Sequence, residues 1–195
     1  MTITIDRTAV TSHPISEVIA NRWSPRSFDR TADVREEKLV AMLEAARWSA
    51  SAANTQPWRF IIGRRGGPIH AQIVEHLMGF NKIWAANAAV LIANLAETTD
   101  PEGNPRRWAE YDLGQAVATM TLQAHKDGLH AHQMGGVEAD ALRDALQIDP
   151  HFSVVSVTAI GVLAPPEELA DEVLRERETT PRVRKSLDEL IFINS

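Results

Sequence analysis

Guanidinium groups gather near both ends of this chain, in Arg22-Trp23-Ser24-Pro25-Arg26-Ser27-Phe28 and in Arg182-Val183-Arg184-Lys185. A guanidinium is a planar fork that donates paired, charge-assisted hydrogen bonds, which suits it to phosphate. Between the two tracts lies Ser51-Ala52-Ala53-Asn54-Thr55-Gln56-Pro57-Trp58. Its amides and small side chains suit the polar edge of a heterocycle approached closely by backbone. The three segments together fit one flat, phosphorylated molecule, with arginines in place of a glycine-rich phosphate loop.

Each segment alone has a plainer explanation. Arg-x-x-x-Arg also suits a helix C-terminus, where cations interact well with the macrodipole. Ser, Asn and Pro are ordinary turn residues, and short basic tracts near a terminus are usually solvated. Taken in order and spacing, however, the segments resemble the nitroreductase family of FMN-dependent oxidoreductases along nearly all 195 residues.

That resemblance implies an α+β fold, a mixed β-sheet flanked by helices, in an intertwined homodimer with its flavin sites at the subunit interface. It assigns Arg22, Trp23, Ser24 and Arg26 to FMN. Arg26 would lie near flavin N1 and O2, where a permanent cation stabilises the reduced ring. Ser24 would make one hydrogen bond, and Trp23 would act through its backbone. Ser51 and Asn54 would meet the isoalloxazine of the partner subunit; Ala50 and Ala52 replace residues that are often Pro and Ser, and Gln56 reads as scaffold. Gly135 and Gly136 match a loop whose amides meet flavin N5 or the carbonyl edge. Arg182 and Arg184 would hold the phosphate, projecting to one side of extended backbone while Lys185 points away. Asn81 and Lys82 read as scaffold before an apolar strand rather than as contacts to the pyrimidine ring.

The implied reaction is ping-pong: NADH or NADPH gives hydride to the flavin, and a nitroaromatic, quinone or similar flat small-molecule acceptor then takes the electrons. No catalytic side chain is required for this. The same fold could instead support dehalogenation, flavin destruction or dehydrogenation, or bind flavin for storage without turnover.

Composition narrows the classes further. A chain of 195 residues with 44% hydrophobic content suits a single domain spanning 1–195. A formal charge of −6 argues against nucleic acid as a partner, since non-specific binding needs a basic face. Zero cysteines exclude disulfides and thiolate chemistry and are compatible with the cytoplasm. The N-terminus does not read as a secretory signal, and the longest apolar run, from Ala85 to Ala96, is too short to cross a bilayer. His130-x-His132 has metal-like spacing but no matching Cys or carboxylate, so no metal is expected. No Gly-x-Ser-x-Gly elbow is present.

The elements that must position these segments follow from periodicity and punctuation. Ile15, Val18 and Ile19 predict a helix after Ser12 and Pro14, which delivers Arg22 to Arg26 before Pro25 breaks helical geometry. A second helix should begin near Asp33, with Glu36 completing a capping box variant, bury Leu39, Met42, Leu43 and Ala46, and end near Ser49. Strands are expected from Trp58 to Ile62, Ala88 to Leu95 and Phe152 to Leu163, with a short final one from Leu190 to Ile193. Helices are expected from Ile69 to Met78, Arg106 to Lys126, Glu138 to Leu146 and Glu167 to Glu178. Gly128 should end the longest. Thr98 to Pro105 reads as a flexible connection near a substrate site, and Gln133 to Gly136 as a loop. Strands and helices do not alternate regularly, which favours α+β over a doubly wound fold.

Overall fold

The computed structural model describes residues 7–193. Four strands, β1 (Trp58–Arg64), β2 (Val90–Glu97), β3 (His130–Met134) and β4 (Phe152–Gly161), form one sheet in the order β1-β2-β4-β3. All three pairings within the chain are antiparallel. The central strand β2 is buried on both faces, which matches its almost continuous apolar run.

Eight helices surround the sheet among the described residues: α1 (Glu17–Asn21), α2 (Glu36–Arg47), α3 (Pro68–Glu75), α4 (Asn81–Trp84), α5 (Ala109–Lys126), α6 (Ala139–Ala145), α7 (Glu172–Thr179) and α8 (Leu187–Leu190). The strand alternation divides the core in two. Val90, Ile92 and Ala96 of β2 join Leu39, Met42 and Ala46 of α2 and Leu113, Val117 and Met120 of α5 on one face. Leu91, Ala93 and Leu95 join Ile73, Trp84, Leu142 and Leu174 on the other. None of these helices is long and apolar enough to cross a membrane.

Several expected boundaries move, each for a local reason. Helix α2 starts at Glu36 rather than Asp33, with no side-chain cap. The would-be capping residues are engaged elsewhere: Asp33 pairs with Arg65 and Glu36 with Arg64. Gln133 and Met134 lie in β3 rather than in a loop. The C-terminal strand expected from Leu190 to Ile193 is absent; helix α8 occupies Leu187–Leu190 instead, closed by a Ser186–Glu189 capping box. Helix α5 starts at Ala109, after the connection from Thr98 folds on itself through a Thr99–Pro105 bridge and Asp100–Asn104 hydrogen bonds. Its other end comes where expected, at Gly128, whose φ of +76° suits glycine.

Candidate functional site

The segment from Arg22 to Phe28 leaves α1 and runs beside the end of β4. Phe28 bridges Leu163, and Ser27 donates to the Pro165 carbonyl at 2.6 Å while its own carbonyl accepts from Ala164. Two side chains far away in sequence fix its course. Glu178, fully buried on α7, accepts the Arg26 N–H with both carboxylate oxygens at 2.9 Å and the Ser27 N–H at 3.0 Å. On the opposite side, His132 of β3 lies 2.8 Å from the Pro25 carbonyl through Nδ1. A carbonyl only accepts, so that nitrogen carries the proton. Sequence reasoning missed both residues: Glu178 sits in a charged stretch that reads as solvated helix, and His132 was weighed only as a metal ligand.

Burial raises the Glu178 carboxyl above the usual range, against the opposing pull of the Ser27 and Arg26 amides and the Arg26 and Arg7 charges. Burial likewise pushes His132 down to about 4, aided by Arg26 and Arg22. His130, two residues earlier on β3, is also pushed down to about 4 by burial and by the neighbouring His125. Neutral imidazoles therefore pack behind the motif, with Trp84 4.6 Å from the His132 ring and Trp23 edge-on to His130.

The arginines of the two tracts lie near one another. Arg182 reaches back from the C-terminal tract to the Ala20 carbonyl at 2.7 Å and the Arg7 carbonyl at 2.6 Å. Burial lowers the Arg22 guanidinium below its ordinary value, and repulsion from Arg184 lowers it further. Arg182 is lowered by burial and by Arg22, Arg184 and Arg7 together. No carboxylate pairs with Arg22, Arg182 or Arg184 among the described residues. Partly buried like charges, as at Arg22 and Arg182, are costly without a counter-ion, and an anion with several oxygens is the natural partner. Arg26 differs from this group: it faces Glu178 at 4.0 Å.

Two cavities open on the cluster. One, of about 560 Å³, is lined by Arg22, Ser24, Glu110, Gly114, Gln133 and Ser156. The other, of about 270 Å³, is lined by Arg182, Arg184 and Lys185 together with Ala9, Ser12 and Ser186. Lys185 thus shares a cavity with Arg182 and Arg184, contrary to the expectation that it points away. Ser24 accepts from Arg22 at 3.3 Å, and Trp23 turns its buried ring inward under Arg7, 4.8 Å away.

At the end of β3, Gly136 accepts from Met78 N–H and from the Asn81 amide. A Cβ there would meet Asn81 Nδ2 at 2.8 Å, so this position needs glycine for space. Neither the Gly135 nor the Gly136 N–H donates to another described residue, so both amides are available to a ligand.

The loop carrying Ser51 and Asn54 is different in kind. Ala53, Asn54 and Gln56 all take positive φ, between 49° and 55°. Such conformations are uncommon outside glycine and concentrate where structure over-determines the backbone. Here Asp112, buried on α5, accepts the Ala52 N–H at 3.0 Å, Ser51 Oγ accepts the Gln56 N–H, and Gln56 bonds the Asn54 carbonyl. Gln56 thus braces the loop from within. None of the described cavities is lined by both this loop and Arg22, Arg182 or Arg184.

A family model described as the nitroreductase family matches residues 19–83 and 65–162. The chain belongs to the nitroreductase family. Among the relatives, an uncharacterised 15.4 kDa protein of Mycolicibacterium smegmatis is 34% identical over 143 residues, 69% of this chain and 94% of that one. A shorter match, 43% identical over 51 residues, links 26% of the chain to 23% of the major NAD(P)H-flavin oxidoreductase of Aliivibrio fischeri. A solved oxidoreductase containing FMN superposes with a TM-score of 0.84 at 35% identity, covering 93% of each chain. The nitroreductase fold anticipated from the three motifs is therefore the fold observed.

Proposed function

We propose that this chain binds FMN and works as a homodimeric, NAD(P)H-dependent oxidoreductase acting on nitroaromatics, quinones or similar flat acceptors. The observation that carries this reading is the convergence of Arg22, Arg182 and Arg184 around one region with no carboxylate to balance them. Four guanidiniums, counting the neighbouring Arg7, offer a phosphate dianion both charge and a fan of N–H donors. The donor set fits a flavin mononucleotide: cations for its phosphate, Ser24 for its ribityl chain, and the Gly135 and Gly136 amides for its ring edge.

When bound, FMN supplies the redox chemistry, accepting hydride from a nicotinamide and giving electrons to an acceptor that takes the nicotinamide's place. The protein's part is positional. Arg26, whose backbone is held by Glu178 and flanked by the His132 clamp on Pro25, would supply a cation to stabilise the negative charge of a reduced ring. No side chain needs to move a proton for this chemistry.

The second copy is part of the reading. Val183, Leu190, Phe192 and Ile193 are exposed on the isolated chain, Phe192 at 96% and Ile193 at 88%. An apolar tail of this kind calls for a covering surface. The strained loop, sharing no described cavity with Arg22, Arg182 or Arg184 of its own chain, would serve the cofactor of the other copy. Names of relatives that carry FMN or use NAD(P)H support the assignment. Visible spectra of freshly purified protein, before and after anaerobic NADH or NADPH, test it directly. Yellow protein that bleaches is expected; colourless protein that refuses added FMN contradicts binding, and yellow protein that does not bleach leaves a storage role.

A further inference from the structure

We propose that Arg107 and Trp108 form a subsite that selects flat acceptors carrying an anionic group, the aromatic carboxylates being the class they fit; this rests on the flavin reading above. Trp108 immediately precedes α5 and keeps 52% of its surface exposed. It forms a wall common to two cavities. One, of about 310 Å³, also has Thr55, Pro105, Arg106 and Arg107 in its lining; the other, of about 210 Å³, has Ser51, Tyr111 and Gln115. Ala52 and Asp112 line both, so the indole stands against the strained loop assigned to the flavin edge.

The two adjacent arginines are not equivalent. Arg106 is three-quarters buried and lies 3.5 Å from Glu97, with Asp100 also nearby. Arg107 has no carboxylate within ion-pair distance among the described residues, and its guanidinium lies 4.9 Å from the Trp108 ring centroid. Of the other acids at this end of α5, Asp112 is occupied by Ala52 N–H and Gln115, while Glu110 lines the separate arginine-flanked cavity. An exposed indole with one unpaired guanidinium stacked over it is complementary to a π-system with one anionic substituent. A volume of about 310 Å³ lies at the small end of small-molecule pockets and suits a single substituted ring better than a dinucleotide.

Binding of 4-nitrobenzoate and of its neutral counterpart 4-nitrobenzamide tests this, followed by calorimetry and by quenching of tryptophan fluorescence, with and without FMN. The carboxylate should bind about tenfold more tightly, as one charge-assisted contact at a partly exposed site provides. Arg107→Gln should bring the two affinities together, and Trp108→Ala should weaken both ligands. Both side chains are exposed, and melting temperatures check that the variants remain folded. Equal affinities in the unaltered protein, or a preference that survives Arg107→Gln, would overturn the proposal. So would an Arg107→Gln variant that loses discrimination between NADPH and NADH instead, because the cation would then serve the donor's phosphate. FMN uptake measured on the same samples separates the two levels: no uptake removes the flavin reading, whereas normal uptake without carboxylate preference removes only this subsite.

Discussion

The arginine cluster and the Ser51–Gln56 loop were both conspicuous in the sequence, yet they solve opposite problems. The cluster is strained electrostatically: Arg22 and Arg182, both partly buried, are brought together with the exposed Arg184 and left without a carboxylate partner among the described residues. The loop is strained conformationally, with three non-glycine residues at positive φ, and its polar groups are largely satisfied within the chain. A charge deficit calls for a ligand of opposite sign. A braced backbone instead presents a fixed shape to whatever docks against it, which suits a surface that contacts another subunit's cofactor.

Ways to break this contrast can be ranked. The largest effect should come from Glu178→Ala, which strips the Arg26 and Ser27 N–H groups of their buried acceptor. A loss of roughly 3 kcal/mol of unfolding free energy is expected in urea denaturation, since two buried donors and a packed side chain are lost. Little change would mean that the motif is held by its Ser27–Pro165 and Phe28–Leu163 contacts alone.

Acid should act next. His130 and His132 are held near 4, below their ordinary value of 6.5. The unfolded chain therefore binds more protons between those values, and stability is full above about pH 6.5 and falls as pH drops toward 4. Each imidazole contributes at most on the order of 3 kcal/mol to that fall. His132→Asn keeps a donor for the Pro25 carbonyl without titrating, so its stability-versus-pH curve should be flatter by one proton; an unchanged slope would remove His132 from the account.

The smallest effect sharpens the loop side. Ala53→Gly relieves a side chain held at φ 50° while adding chain entropy to the unfolded state. A net gain of about 0.5 kcal/mol is expected, seen as a higher melting temperature. A loss would show that the loop is not strained there.

Much of this was legible in the sequence where the chemistry is local. Guanidiniums near both ends, read together with the Ser51–Trp58 segment, suggest a phosphate-like partner, and the run from Val90 to Ala96 reads as a buried strand from hydropathy alone. What escaped was decided by tertiary contacts. The sequence His-Ala-His-Gln-Met contains no β-branched residue, and it becomes β3 because β4 pairs with it. Leu-Ile-Phe-Ile at 190–193 has strand composition but pairs with no strand among the described residues. Glu178 looks like its solvated neighbours Glu172 and Glu176 until α7 packs it against the Arg26 backbone. Strain at Ala53 leaves no signal in residue type at all.

Titration of the flavin-free protein with FMN and with riboflavin, in parallel with Arg22→Ala and Arg184→Ala, tests the central claim most directly. FMN should bind far more tightly than riboflavin, and each substitution should weaken FMN by roughly 10- to 100-fold, the worth of one or two charge-assisted contacts, while leaving riboflavin nearly unchanged. Equal affinities for the two flavins, or equal losses for both in the variants, would contradict a phosphate site built from these arginines.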